Sequence, residues 1–368
     1  WASITFISFQ LAPFQRTSSL YCYLRRQMST PARFLFTNGV VSSAGDAPTI
    51  STFLGTHPGA YTTTRTHNDG NHLLFWDRHL RRLSNSLQIL LNSNPSLVFG
   101  PGVSGSVPFW SSVNWDGLIR RRVDATMRKA LPFALGKRNS GEELAISALI
   151  GGNCEELEGI VGRIDEDMVD RVLDVYMHIG MYVPPIFGSE GSGARLAVVG
   201  SKRDFAEAKY SDWARLRKPL EKLRPPSATE ILLADHGGKI LEGSVTNFFV
   251  VCFKGNSEVE ENRANEKGNL RLYELQTAPV HDGVLPGVIR QLVIEICLSK
   301  GISVREVSPS WSDCCRWEEA FVTSSLRLVQ HVETIQAPNS WTSMRSKSWS
   351  EIAWVEKHFK ACSPIYCG

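Results

Sequence analysis

A glycine- and serine-rich segment, residues 187–194, interrupts the chain close to its middle. This composition is typical of a flexible connection, so we predict a domain boundary there. The chain has 368 residues and is 42% hydrophobic, which is enough to build two cores. The predicted division is a small N-terminal α+β domain at residues 31–190, a large C-terminal domain at 195–340, and a C-terminal helix or tail at 341–368.

The first 45 residues are basic: they contain no acidic residue before Asp46, but they contain Arg16, Arg25, Arg26 and Arg33. Residues 1–30 therefore resemble an organellar transit segment. In the alternative interpretation they are an upstream or disordered extension, and Met28 is the true start. Both interpretations predict an intracellular protein, in a plastid or mitochondrion in the first case and in the cytoplasm in the second.

Charge and cysteine usage narrow the functional class. The net charge of +3 predicts no binding to nucleic acid or to an anionic membrane. No window approaches the roughly 18 uninterrupted apolar residues that indicate a membrane span. Eight cysteines without a Cys-x-x-Cys spacing predict reduced thiols, and no metal site is expected.

Hydrophobic periodicity predicts the local structure from residue 34 onward. Leucines at three- and four-residue steps indicate an amphipathic helix that is entered at His79: Leu80, Leu83, Leu87 and Leu91. The predicted strands are residues 143–149, 175–183 and 247–252, together with a hairpin of 231–234 and 239–241. A helix is predicted to begin after Gly287. The charged run 254–271 has little to bury and predicts a solvent-exposed insertion.

Lys209 and Glu242 are residue types with complementary chemistry. A lysine amine is a useful nucleophile only where its surroundings favour the neutral form, and a buried carboxylate needs a cation or a donor beside it. The amine can hold a carbonyl compound as a Schiff base, and the carboxylate can keep a pyridine nitrogen protonated. Pyridoxal 5′-phosphate (PLP) would satisfy both needs. The alternative is a solvated surface lysine and a strand-end glutamate in solvent.

Four blocks, in order over about residues 35–335, resemble the class IV aminotransferases. This PLP-dependent family includes the branched-chain aminotransferases, the D-amino-acid aminotransferases and the aminodeoxychorismate lyases. The resemblance implies a two-domain α+β and α/β fold of fold type IV, PLP in the C-terminal domain, and a homodimer. The blocks are residues 76–83 with Ser86; Lys209 with Asp212 and Trp213; residues 230–235 and 242–249; and residues 277–279, 285–290 and 321–325.

The resemblance also implies roles for individual residues. Lys209 is the catalytic residue that holds the cofactor and moves the substrate proton, and Glu242 binds the pyridine nitrogen. Arg82 binds the phosphate, unless Arg78, Arg81 and Arg82 form an ordinary solvated helix face. The amides of Val288 and Ile289 at a helix start also face the phosphate. Ser325 supplies a hydroxyl, for which Ser324 or Thr323 could substitute, or the cluster is an ordinary loop.

On the substrate side, the expected residues are Tyr61, Arg65 and Thr246, with Arg65 either binding a carboxylate or having a structural role. Two positions depart from the family. Thr62 replaces the usual glutamate, and Asp212 replaces the usual asparagine. The negative charge of Asp212 would raise the Lys209 pKa.

Three functions remain open from the sequence. The leading hypothesis is transamination between an amino acid and a 2-oxo acid. The second is lyase-type pyruvate elimination from aminodeoxychorismate. The third, motivated by Thr62 and Asp212, is a catalytically silent protein with a binding or regulatory role. The sequence does not determine substrate stereochemistry.

Overall fold

Two β-sheet units organise the chain in a computed structural model, which describes residues 32–101, 113–158, 166–187, 191–254, 273–338, 341, 346–349 and 354–355. Residues 1–30 and all of the 254–271 run except Lys254 lie outside the described residues, as does most of the tail at 341–368. Residues 32–182 form the first unit and residues 194–348 form the second. This is the predicted two-domain α+β architecture, and the exact domain boundaries stay a prediction.

The N-terminal unit contains a four-stranded antiparallel sheet in the order β4-β3-β5-β6 and a separate hairpin, β1–β2. Asn38 and Gly39 close the hairpin with positive φ angles of 51° and 79°, as a two-residue turn requires. The strands are β1 (Arg33–Thr37), β2 (Val40–Gly45), β3 (Ala60–His67), β4 (His72–Leu73), β5 (Glu143–Gly152) and β6 (Leu173–Tyr182).

The helices of this unit are α1 (Ile50–Thr56), α2 (Trp76–Ser93), α3 (Ser96–Phe99), α4 (Trp115–Leu135), α5 (Cys154–Glu158) and α6 (Glu166–Arg171). Helix α2 is the predicted leucine helix, and its leucines are buried in a core that also contains α4. The helix begins at Trp76, three residues before the predicted entry at His79. Trp76 donates its indole N–H to Asp124 of α4 at 2.8 Å, which fixes this earlier start.

The C-terminal unit is a nine-stranded sheet that curls into a barrel. Strands β10, β13, β14, β7, β8 and β9 are neighbours in that order, and a β9–β10 pairing between Glu242 and Asn247 closes the ring. The strands are β7 (Ala194–Ser201), β8 (Glu230–Ala234), β9 (Ile240–Gly243), β10 (Asn247–Phe253), β11 (Tyr273–Thr277), β12 (Ser303–Glu306), β13 (Trp317–Ser324), β14 (Leu328–Gln336) and β15 (Ser346–Ser348). The predicted hairpin is confirmed as β8–β9.

The helices whose bounds the structure describes beside the barrel are α7 (Trp213–Leu216), α8 (Lys218–Lys222) and α9 (Val288–Ser299), with the 3₁₀ turns Val280–Asp282 and Trp311–Arg316. Helix α9 begins at Val288, as predicted, and Gly287 is its N-cap. None of the helices within the described ranges is long and apolar enough to cross a membrane. The segment that carries Lys209 packs Ala208, Tyr210 and Trp213 into the core of the N-terminal unit, so it lies where the two units meet.

Candidate active site

A cavity of about 270 Å³ lies between the two units. Strand β3, helix α2, the segment from Arg203 to Arg217, the β9–β10 turn, the start of α9 and the β13–β14 turn form its walls. Eight of the nine predicted site residues line this one cavity: Tyr61, Arg82, Lys209, Glu242, Thr246, Val288, Ile289 and Ser325. The ninth, Arg65, lines a neighbouring groove instead.

Lys209 is positioned from two sides by backbone hydrogen bonds. Its carbonyl accepts the amide of Tyr61 at 2.9 Å, and its amide donates to the hydroxyl of Ser86 on α2 at 3.0 Å. The next residue, Tyr210, continues the contact as a β-bridge to Ala60. These contacts fix the lysine backbone to the edge of β3, so the side chain starts from a fixed point in the cavity wall.

The electrostatics around the amine favour its neutral form. Burial lowers the Lys209 pKa, the cations Arg82 and Arg203 lower it further, and Tyr61 opposes this in part. The Lys209 Nζ lies 4.6 Å from the centre of the Tyr61 ring. Burial raises the Tyr61 pKa, but Lys209, Arg217 and Arg203 outweigh it, so the net pKa of the phenol is lowered.

The expectation that Asp212 gives Lys209 a raised pKa is wrong. The Lys209 pKa is lowered, and it is set principally by burial, Tyr61, Arg82 and Arg203. Instead, both carboxylate oxygens of Asp212 accept hydrogen bonds from Arg215, at 2.7 and 2.8 Å. This pair lies on the solvent side of α7, where the arginine offsets the acid.

Glu242 is buried beside a cation that the sequence did not reveal. Its Oε1 accepts from Arg203 Nε at 2.8 Å, and its Oε2 accepts from the Leu285 amide at 2.9 Å. The two side chains are only 4% and 6% exposed, so each charge depends on the other. The alternative of a solvent-exposed glutamate is therefore wrong. A carboxylate has further lone pairs, so another donor in the cavity could still bind.

Arg82 is buried, unlike the neighbouring arginines of α2. Arg81 is largely exposed beside Asp77, and Arg78 is partly exposed beside Glu295, so the alternative of a solvated face is wrong for Arg82. Burial lowers the Arg82 pKa to about 10, which leaves the guanidinium charged at neutral pH.

The side chain of Thr62 binds both Arg82 and His79 through its hydroxyl. Its hydroxyl accepts from Arg82 Nη2 at 2.9 Å and lies 2.9 Å from His79 Nδ1. Burial keeps the His79 pKa well below its ordinary value, so this ring is neutral. The Arg82 Nε has no hydrogen-bond partner among the described residues. A buried, charged donor without an acceptor is costly, so this position favours an anionic ligand.

The other hydrogen-bond donors of the cavity also favour an anionic ligand. Val288 and Ile289 occupy the first turn of α9, whose amides have no intrahelical acceptor, and Gly287 gives no side-chain cap. Of the hydroxyl cluster, Ser325 is half-buried in the cavity wall, and Ser324 accepts the Arg327 amide at 3.2 Å. The Thr323 hydroxyl is buried without a partner among the described residues. A phosphate would fit this donor set.

Thr246 and Arg65 have protein partners of their own. Thr246 donates its hydroxyl at 2.8 Å to Glu230, a buried acid that also binds Arg327. Arg65 donates Nε to the Leu326 carbonyl at 2.9 Å. Arg65 is four residues beyond Tyr61 on the same face of β3, which carries it about 13 Å past the lysine and into the next groove. The structural alternative for Arg65 fits these contacts.

Among the cavity arginines that sequence reasoning missed are Arg203 and Arg217. Arg203 lies six residues before Lys209 (209 − 203), in a charged segment after β7 that gave no periodic signal. Arg217 follows α7 among other basic residues, and nothing local distinguishes it from the exposed Arg215. A search for cations close to Lys209 in sequence would have found both arginines. It could not have distinguished them from the exposed arginines nearby.

Comparison with known proteins identifies the fold. Residues 191–335 match the family model described as amino-transferase class IV. The fold is similar to a hypothetical aminotransferase from Mycobacterium tuberculosis in its PLP-bound form, with 15% identity, a TM-score of 0.56, and coverage of 90% of this chain and 99% of that one. It is also similar to the branched-chain aminotransferase of the archaeon Thermoproteus uzoniensis with norvaline, with 20% identity, a TM-score of 0.52, and coverage of 83% and 87%.

The branched-chain amino acid aminotransferase of Escherichia coli gives 18% identity, a TM-score of 0.51, and coverage of 83% of this chain and 86% of that one. A comparison with curated protein sequences finds no significant match. At these identities the structural likeness shows the fold, and the family match covers the barrel unit. Residues 191–335 therefore match the class IV aminotransferase family model, and the chain has a two-domain architecture of fold type IV.

Proposed function

We propose that this chain binds PLP through the amine of Lys209 and transfers an amino group between an amino acid and a 2-oxo acid. The observation that carries the proposal is a buried lysine with a lowered pKa, in one cavity with a buried carboxylate and an anion-binding donor set. The family match of residues 191–335 supports the same chemistry.

The residues suited to hold the cofactor follow from their contacts. Arg82, the first amides of α9 and Thr323 would bind the phosphate, because Arg82 Nε, the Thr323 hydroxyl and these amides have no acceptor among the described residues. Glu242 would bind the protonated pyridine nitrogen, and Arg203 and the Leu285 amide orient its carboxylate. When bound, PLP supplies an aldehyde that condenses with amines and a ring that withdraws electrons from the substrate α-carbon.

Lys209 would act as the proton carrier. A neutral amine can take a proton from the substrate α-carbon and return it, whereas an ammonium cannot. Burial and the two neighbouring arginines favour the neutral form. The backbone contacts to Tyr61 and Ser86 would keep the Lys209 side chain anchored within reach of the cofactor and the substrate.

The cofactor part of the proposal is tested without turnover. The purified protein is incubated with PLP and reduced with borohydride, and its peptides are analysed by mass spectrometry. The expected result is a phosphopyridoxyl adduct on Lys209 and loss of the visible absorbance in Lys209→Ala. A wild-type protein that stays colourless and carries no adduct after reconstitution would contradict the proposal.

The reaction is tested by adding a panel of L- and D-amino acids to the loaded protein. Transamination predicts a spectral change with an amino acid and its reversal by a 2-oxo acid. Pyruvate release from aminodeoxychorismate without an amino acceptor would favour the lyase instead. No change with any substrate would favour the silent protein, although the two substitutions that motivated it have structural partners, Arg82 for Thr62 and Arg215 for Asp212.

A homodimer is part of the same proposal. Two large apolar side chains at the edge of the neighbouring groove, Val183 and Ile186, are 48% and 75% exposed. Exposed apolar surface of this kind often marks a protein contact. Sedimentation of the loaded protein measures the mass, and a monomer at micromolar concentration would reject a stable dimer.

A further inference from the structure

Four of the arginines that line the cavity sit beside a carboxylate, but the partners differ in burial. Arg203 pairs with Glu242 and Arg327 pairs with Glu230, and both acids are only 4% exposed. Arg290 is itself 6% exposed, and its Nη2 donates both to Glu306, which is 48% exposed, and to the Ala278 carbonyl, whereas its Nε has no partner among the described residues. Each of these three arginines has either a buried acid or a backbone carbonyl as an acceptor in the framework of the cavity. The fourth, Arg217, has neither in the part of the chain that the structure describes.

Arg217 has a largely free guanidinium. Its Nε donates to Glu221 Oε1 at 2.9 Å, and within the described ranges neither terminal nitrogen has a hydrogen-bond partner. The side chain of Glu221 is 41% exposed, whereas that of Arg217 is 15% exposed. A half-exposed pair of this kind contributes little stability, so it does not account for an arginine in the cavity wall.

The backbone holds Arg217 in a fixed relation to Lys209. The two residues lie eight positions apart (217 − 209) on one segment, which α7 folds back on itself. The Arg217 amide donates to the Trp213 carbonyl at 3.0 Å, and the Trp213 indole donates to the Ser244 carbonyl at 2.8 Å. The positive charge of Arg217 interacts with Tyr61 and helps to lower the pKa of that buried phenol.

We propose that Arg217 is a substrate-binding residue, whose two terminal nitrogens bind a carboxylate of the amino acid or 2-oxo acid beside Tyr61 and Lys209. The inference rests on the proposed function, because it assigns a subsite within the same cavity. A planar guanidinium with both terminal nitrogens free matches the two oxygens of a carboxylate. The phosphate has Arg82 and the start of α9, so it does not require Arg217.

The test measures binding of two unreactive acids, butyrate and glutarate, to the PLP-loaded protein by titration calorimetry. Arg217→Leu is expected to weaken binding about 10- to 100-fold, the range for a hydrogen-bonded charge pair. Arg217→Lys should recover part of the loss, because it keeps the charge without the planar fork. The matched control is Arg215→Leu, which removes an exposed arginine two residues away that is bound to Asp212.

The two acids identify which carboxylate is bound. Weaker binding of both acids assigns Arg217 to the carboxylate that every amino acid carries. Weaker binding of glutarate alone assigns it to a second carboxylate and predicts dicarboxylic substrates. Steady-state kinetics give a second readout: KM should rise for the matching substrates, and kcat should change by less than KM.

The proposal is overturned if wild-type protein binds neither acid, or if Arg217→Leu binds both as tightly as wild type while keeping its fold by circular dichroism. Failure of the proposed function is recognised separately, by the absence of the Lys209 adduct. In that case the same titrations on the cofactor-free protein still report on Arg217, because its free guanidinium does not depend on the cofactor.

Discussion

The buried pair of Arg203 and Glu242 gives a quantitative test of how the cavity is built. Removing one partner of a buried ion pair typically costs about 3–5 kcal/mol, because the remaining charge is left without compensation. Glu242→Leu would leave Arg203, whose side chain is 6% exposed, with the Ala206 carbonyl at 2.8 Å as a remaining acceptor. We therefore expect the free energy of unfolding of Glu242→Leu to fall by an amount near the lower end of this range, about 3 kcal/mol.

The assay is urea unfolding of the cofactor-free protein, so that any loss of PLP binding does not contribute. Glu242→Gln is the matched control, since it keeps the shape and an acceptor for the Leu285 amide. The expected cost of this variant is smaller, about 1–2 kcal/mol, the difference between a charged and a neutral hydrogen bond.

A double-mutant cycle with Arg203→Leu isolates the pair. The double variant should be more stable than the sum of the single losses predicts, because neither charge is then left alone in the cavity wall. Additive losses within about 0.5 kcal/mol, or a Glu242→Leu loss below about 1 kcal/mol, would refute the reasoning. Such a result would mean that solvent reaches the carboxylate.

Three further predictions concern other residues of the site. The Lys209 pKa is lowered in the folded state, so at pH values between that pKa and about 10.4 the unfolded chain binds more protons. The stability of the cofactor-free protein should therefore rise with pH in this window, and Lys209→Met should reduce that rise in urea unfolding at several pH values. An equal slope in both proteins would contradict this prediction. Arg82→Ala should weaken PLP about 10- to 100-fold by fluorescence titration but change the affinity for pyridoxal, which lacks the phosphate, far less. Arg65→Leu should cost about 1–3 kcal/mol and Tyr182→Phe about 1 kcal/mol, because both side chains donate to the Leu326 carbonyl; unchanged melting of the two variants would exclude that role.

Much of the site was predictable because its signals are local. A helix start after Gly287 follows from the apolar pattern, and helix starts leave free amides, so Val288 and Ile289 could be placed at an anion site. Lys209 and Glu242 were recognised by residue type and order, and they do line one cavity. The hairpin β8–β9 followed from the glycines of its turn, of which Gly238 has a φ of +77°.

The predictions that went wrong concerned the direction or the partner of a side chain. Alternation along β3 shows that Tyr61 and Thr62 point to opposite faces, but both are buried because both faces of the sheet are covered. Only packing against α2 shows that Thr62 holds Arg82. The charge of Asp212 was expected to act on Lys209, yet Arg215 in the next turn of the chain binds it.

The sequence by itself determined the resemblance of the barrel unit to the class IV aminotransferases, the short elements with clear periodicity, and the pair of residues proposed to carry the chemistry. These depend on residue type and spacing within one segment. The tertiary structure alone decided which polar groups meet, such as Arg203 with Glu242 across 39 residues and Arg65 with the Leu326 carbonyl across 261. The physical reason is that a pKa, a buried ion pair or a free guanidinium depends on the neighbours that two packed sheets bring together.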